Sequence, residues 1–241
     1  MIVGIIVGIV AVAVIAGFVF VNQPSFGRAP QGERLERIKK SPHYKDGEFR
    51  NLHSTVMMTS QKGRLGAFWG FLFKKETDLR PETEIPVIKT DLSKISKDEN
   101  VLVWFGHCLP ARHFSDRSLK ANQALWASFL IETPLQKIYM GGDSGYDTHF
   151  AEIGKQYPGI DLAILENGQY NEDWKYIHTM PQYLGQAARD LNAEKILTVH
   201  HSKYALARHR WDEPLKNAMN LKEKDSLNVL MPIIGEVVRL K

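Results

Sequence analysis

The stretch that decides the fold is Ile138-Tyr-Met-Gly-Gly-Asp143-Ser-Gly-Tyr146. Its first three residues are typical of the end of a buried strand, and the two glycines allow the backbone to turn sharply. Asp143 is therefore expected just beyond the carboxyl end of a strand, where α/β folds bind their ligands. A carboxylate at this position suits a metal ion. It is equally typical of a turn aspartate that hydrogen-bonds its own backbone.

Two further stretches favour the metal site. One is Pro110-Ala-Arg-His113-Phe-Ser115, and the other is Ile196-Leu-Thr-Val-His200-His201, a β-rich run that ends in histidine. Each places a candidate ligand at the end of a strand-like segment. A histidine, an aspartate and a histidine at three separated strand ends suit a site that is assembled by the fold rather than by a local motif.

Length, charge and cysteine content limit the class of protein. The 241 residues accommodate one domain of catalytic size with an appendage. A net charge of +4 is mild and unclustered, so no nucleic-acid partner is expected. Cys108 is the only cysteine, which excludes an intrachain disulfide.

The first 21 residues form an apolar run without a charge. Its length matches the roughly 20 residues that a helix needs to cross a bilayer. No basic segment precedes it, as a signal peptide would require, and it has no polar face, as a core helix would show. We therefore predict a transmembrane anchor at 1–21. The basic residues that follow predict a single-pass membrane protein whose soluble domain is cytoplasmic.

The rest of the chain divides into a juxtamembrane linker at 22–50 and a domain at 51–241. Strand-like segments alternate with helical ones in this domain, which predicts an α/β fold. The segment Leu65 to Phe73 is strongly apolar and aromatic, and is either core or a surface that contacts lipid. The expected strands are 100–106, 125–131, 137–140, 160–165, 195–199, 227–231 and 237–240, with a helix at 181–191.

Several motifs occur in one order and carry a resemblance to a known family. They are Val103-Trp-Phe-Gly-His107, Pro110-Ala-Arg-His113-Phe-Ser115, Leu125-Trp-Ala-Ser128, Gly142-Asp-Ser-Gly-Tyr146, Asp161-Leu-Ala-Ile-Leu165, Val199-His200 and Trp211-Asp-Glu-Pro214. Together they resemble the metallo-β-lactamase-fold hydrolases of the N-acylphosphatidylethanolamine phospholipase D type. The resemblance covers roughly residues 41–214.

The resemblance implies an αβ/βα sandwich with two metal ions, usually zinc, at one edge. It implies that His113, Asp143 and His200 are metal ligands and that Asp143 is also catalytic. His200 is preferred to His201 because it keeps the register of Tyr204-Ala-Leu206. It further implies that His178 matches a family histidine that lies near the site and is not a ligand, and that His178 and Tyr170 face a substrate, which would be a phospholipid or another phosphodiester.

One departure from the family is large. The family's H-x-H-x-D-H segment lies between the Gly-His strand and the P-x-x-H segment, whereas here Cys108 follows His107 directly and no such motif exists. The chain thus resembles a member with an internal deletion, a sandwich incomplete in its N-terminal half and one zinc ion at most. The predicted function is a membrane-anchored, metal-dependent, phospholipase D-like phosphodiesterase of impaired activity. The alternative is a catalytically inactive relative that acts as a binding or structural module, or a non-functional product.

A third interpretation concerns Gly142-Asp-Ser-Gly145, which echoes the G-D-S-G of serine proteases. A serine nucleophile needs a positioned base and an oxyanion hole. The sequence indicates neither partner, and the flanking residues fit the metallohydrolase pattern better. The serine hypothesis is therefore rejected on sequence grounds.

Overall fold

The computed structural model describes residues 2–23, 30–50, 63–73, 78–96, 98–104, 127–202 and 209–240, together with residues 56, 59, 61, 205 and 207. These residues fall into two compact units, one before residue 55 and one after it. The candidate site lies in the second unit.

The first unit contains two helices and a short hairpin. Helix α1 covers Ile2–Val21 and helix α2 covers Gly32–Lys39. Strands β1 (Tyr44–Lys45) and β2 (Glu48–Phe49) pair antiparallel, and the rings of Tyr44 and Phe49 meet edge to face at 5.0 Å.

The prediction of a transmembrane anchor at 1–21 is wrong. In the part of the chain that the structure describes, no helix has both the length and the apolar character to cross a membrane. The single-pass membrane localisation with a cytoplasmic domain rested on this helix and is withdrawn with it.

The second unit begins with helix α3 and alternates strands with helices from residue 129 onward. Its elements are α3 (Gly63–Phe73), β3 (Val101–Val103), β4 (Phe129–Glu132), β5 (Lys137–Met140), α4 (His149–Gln156), β6 (Leu162–Glu166), α5 (Pro181–Leu191), β7 (Lys195–Val199), α6 (Glu213–Glu223), β8 (Val229–Leu230) and β9 (Val237–Arg239). This alternation confirms the predicted α/β class.

The main sheet has five strands in the order β4-β5-β6-β7-β8. Strands β5 to β8 are parallel to one another, and β4 joins β5 antiparallel at one edge. A parallel arrangement brings the carboxyl ends of β5, β6 and β7 to one edge of the sheet, where α/β folds place their ligands. Strands β3 and β9 form a separate antiparallel pair.

Helices α4, α5 and α6 pack on one face of this sheet. Helix α5 presents Leu184, Ala187, Ala188 and Leu191 to the core, the spacing of one helical face. The opposing strand residues are buried as well, with Tyr139, Ala163, Leu165, Ile196 and Val229 in the same cluster. Burial of this apolar surface holds the carboxyl edge of the sheet in place.

Candidate metal centre

Three potential metal ligands extend from the carboxyl edge of the main sheet. Asp143 follows β5 after the two glycines, and His200 follows β7 directly. His178 comes from the connection between β6 and α5. Because β6 lies between β5 and β7, the three residues meet although 57 positions separate the first from the last.

Two backbone conformations aim these side chains. Gly142 has φ 64°, a left-handed conformation that costs a glycine little. His200 has φ 73°, which a residue with a side chain seldom adopts. Such local strain persists when surrounding structure enforces it, and it is concentrated at functional sites.

The donor atoms of Asp143, His178 and His200 lie within 4.8 Å of one another. The closest pair measured is Nδ1 of His200 and Oδ1 of Asp143, 3.3 Å apart. All three side chains are largely shielded from water, with 15 % or less of each histidine exposed and 27 % of the aspartate.

Glu166, the last residue of β6, connects the two histidines. Its Oε2 lies 2.7 Å from Nδ1 of His178 and 3.3 Å from Nδ1 of His200. Its Oε1 accepts the backbone N–H groups of Ser144 at 3.0 Å and Thr179 at 2.7 Å. Sequence reasoning missed this residue, although an acidic residue at the end of an apolar strand was the available signal.

Charges in the cluster oppose the effect of burial on the pKa values of Glu166 and His178. Burial raises the pKa of Glu166, but the charge and hydrogen bond of His178, with the hydrogen bonds of His200 and Thr179, hold that pKa below its ordinary value. Burial lowers the pKa of His178, but Glu166, and then Asp143, outweigh it and raise the pKa above the ordinary value. The carboxylate is therefore ionised and the imidazole beside it basic.

The donor set fits a zinc ion. Two imidazoles and one carboxylate are the ligand types of open zinc sites, which keep a further position for water or substrate. Bonds of about 2 Å to one ion require donors within about 4 Å of one another. The observed spread of 4.8 Å or less needs only small side-chain rotations to meet that requirement.

The residues predicted from the sequence have different outcomes. Asp143 and His200 lie together, whereas His113 lies outside the described residues, so its place in the site stays a prediction. His178, expected to face substrate, lies among the donors. Tyr170 is buried and its hydroxyl bonds the carboxylate of Glu213 at 2.7 Å. Its predicted contact with substrate stays a prediction.

The choice between the two adjacent histidines can be judged from their surroundings. His201 is buried away from the cluster, where its ring nitrogens contact Thr198 and Ser202 and its ring packs on Trp104. His200 points into the cluster.

The rejected serine hypothesis gains one partner from the structure. Oγ of Ser144 lies 3.1 Å from Nε2 of His149, the first residue of α4. Burial lowers the pKa of His149. Among the described residues, however, no carboxylate hydrogen-bonds the other ring nitrogen of His149, so the third member of a triad is missing.

Comparison with known proteins identifies the fold of this part of the chain. Residues 76–201 match the Beta-lactamase superfamily domain. That range covers more than half of the chain and includes Asp143, His178 and His200.

Three relatives show how much of the chain has counterparts. The outer membrane protein RomA of Klebsiella pneumoniae is 63 % identical over 94 residues, which is 39 % of this chain and 71 % of RomA. The uncharacterized protein Rv0906 of Mycobacterium tuberculosis is 37 % identical over 134 residues, or 54 % of this chain and 36 % of that protein. The mitochondrial N-acyl-phosphatidylethanolamine-hydrolyzing phospholipase D of Saccharomyces cerevisiae is 35 % identical over 122 residues, or 47 % of this chain and 26 % of the enzyme.

Proposed function

Because the chain belongs to the metallo-β-lactamase superfamily of hydrolases, we propose that Asp143, His178 and His200 bind one zinc ion and that the site hydrolyses a phosphodiester. The observation that carries this proposal is the convergence of the three donors at the carboxyl edge of the sheet. Only the fold brings them together, and their chemistry suits an open zinc site.

Each residue has a distinct part in this proposal. When bound, zinc polarises a phosphoryl oxygen and lowers the pKa of a water molecule. Asp143 supplies negative charge to the site and is the residue best placed to orient a nucleophilic water. His178 and His200 supply neutral nitrogen donors. The ionised Glu166, which hydrogen-bonds both rings, compensates the positive charge of a bound zinc ion.

A lipid phosphodiester is the substrate class that we favour. The similarity to the yeast phospholipase D supports it. Helix α3 adds a second argument, because Leu65, Trp69, Leu72 and Phe73 are all more than half exposed. An exposed apolar helix suits contact with acyl chains. Tyr170 remains the proposed substrate-side residue of the loop after β6.

We expect the hydrolysis to be slow. The H-x-H-x-D-H motif is absent from the 241 residues, so a second metal with its own ligands has no evident source. The domain at 51–241, preceded by a linker at 22–50, is proposed as the unit that holds the site. The competing function is a metal-binding module without turnover.

The test combines metal content with hydrolysis. The full chain and its Asp143→Asn variant would be equilibrated with zinc, analysed for bound metal, and assayed with bis(p-nitrophenyl) phosphate. Asp147→Asn is the matched control, because Asp147 is an exposed aspartate four residues along the chain.

We expect one zinc ion per chain and slow turnover in the wild type and the control, and loss of both in Asp143→Asn. Bound zinc without turnover would favour the non-catalytic module. Absence of bound zinc in the wild type would overturn the proposal.

A further inference from the structure

We propose that Glu166 is the positioning residue of the metal centre: it fixes the Nδ1–H tautomer of both His178 and His200, so that both rings present Nε2 to the metal. This inference rests on the proposed function and concerns how the site is held. Glu166 itself is not a ligand in this proposal.

The hydrogen-bonding capacity of the carboxylate supports a role behind the ligands. An ionised carboxylate has about four acceptor positions, two on each oxygen. The two backbone N–H groups of Ser144 and Thr179 occupy Oε1, and the two imidazoles occupy Oε2. With all four positions in use, no lone pair of Glu166 remains for a metal ion.

Burial makes the orientation of the imidazoles obligatory. Only 2 % of the Glu166 side chain is exposed, so water does not compensate its charge. A ring that turned an unprotonated Nδ1 toward Oε2 would place a lone pair against a buried negative oxygen. Each histidine in contact must therefore donate from Nδ1, and the neutral ring carries its unprotonated nitrogen at Nε2.

The geometry of His200 shows why a second carboxylate is useful. Its Nδ1 lies 3.3 Å from Oδ1 of Asp143 and 3.3 Å from Oε2 of Glu166. If Asp143 turns to bind a metal, Nδ1–H of His200 keeps an acceptor in Glu166. Partners of this kind orient metal-bound histidines and increase their basicity.

Nuclear magnetic resonance of the unmutated chain tests the tautomers directly. Long-range ¹H–¹⁵N correlation spectra of the metal-free protein would be recorded at a pH where the ring signals of His178 and His200 no longer move. We expect the Nδ1–H form for both rings. The Nε2–H form in either ring would overturn the proposal, whether or not Glu166 variants fold.

Zinc affinity of the Glu166→Gln variant tests the functional consequence. An amide offers only one acceptor atom, so it cannot hold two N–H groups on each side. We expect the zinc Kd to rise about tenfold to hundredfold, the usual cost of losing such a partner. Competition with a chromophoric chelator measures it, and circular dichroism confirms folding.

Glu213→Gln is the matched control, because it makes the same chemical change in a carboxylate that bonds Tyr170. Its zinc Kd should equal that of the wild type. A folded Glu166→Gln variant with wild-type zinc affinity would refute the positioning role. If the wild type binds no zinc, the proposed function fails, while the tautomers still decide this inference.

Discussion

Replacement of Gly168 by alanine should disturb the site through the backbone of His200. A Cβ atom at residue 168 would lie 2.3 Å from the carbonyl oxygen of His200 and 3.1 Å from its carbonyl carbon. An ordinary contact requires about 1 Å more, so the loop after β6 or the residue after β7 has to move. Overpacking of this kind costs about 1–3 kcal/mol of unfolding free energy.

The same displacement should weaken zinc binding. Metal sites tolerate only about 0.5 Å of misplacement, and His200 already has a strained backbone with φ 73°. We expect the zinc Kd to rise by about tenfold or more. Urea unfolding of the metal-free protein and chelator competition measure the two effects. Gly17→Ala is the control, because a Cβ there meets nothing within 4 Å. A Gly168→Ala variant with wild-type stability and wild-type zinc affinity would refute the reasoning.

Three further predictions concern the core, pH and metal linkage. Phe150→Ala removes a ring that is 1 % exposed and stacks on Tyr146, so urea unfolding should show a loss of about 3–5 kcal/mol; a loss below about 1 kcal/mol would contradict it. Burial lowers the pKa of His209, whose Nε2 accepts the N–H of Gln169. The stability that neutral His209 contributes is therefore present above the ordinary pKa of 6.5. It is lost as pH falls from 6.5 toward the lower pKa that His209 has in the folded protein. Unfolding midpoints measured from pH 8 to pH 5 should therefore fall less in His209→Asn than in the wild type; parallel curves would exclude this origin. Zinc at about 100 times its Kd should raise the unfolding free energy of the wild type by about 2.7 kcal/mol and leave that of Asp143→Asn unchanged. A rise in the unfolding free energy of that variant would locate the metal elsewhere.

Local patterns explain which parts of the fold could be predicted from the sequence. Helix α5 and strand β7 begin and end at the predicted residues, because Pro181 suits a first helical turn and residues 195–199 are rich in β-branched and apolar side chains. Helices α4 and α6 were not predicted. Helix α4 is only eight residues long and buries only two of them, Phe150 and Gly154, so few core positions mark it in the sequence.

The site was predicted in part for a similar reason. Asp143 and His200 follow strands, and the rule for parallel sheets brings such residues to one edge. Glu166 follows the same rule, but its strand was expected to end one residue earlier, so it was assigned to a loop. The arrival of His178 among the donors depends on the path of a 14-residue connection between β6 and α5, which no local pattern encodes.

The position of Glu166 in the middle of the sheet has a consequence for folding. Its strand, β6, pairs with β5 on one side and β7 on the other, and its carboxylate bonds amides that are 35 residues apart, those of Ser144 and Thr179. A buried charge loses its compensation whenever either neighbouring segment opens. Opening of either segment alone, the loop after β5 or the residues at the start of α5, therefore costs free energy. The two segments should open as one cooperative unit. In hydrogen exchange, the amides of Ser144 and Thr179 would then report a single opening free energy.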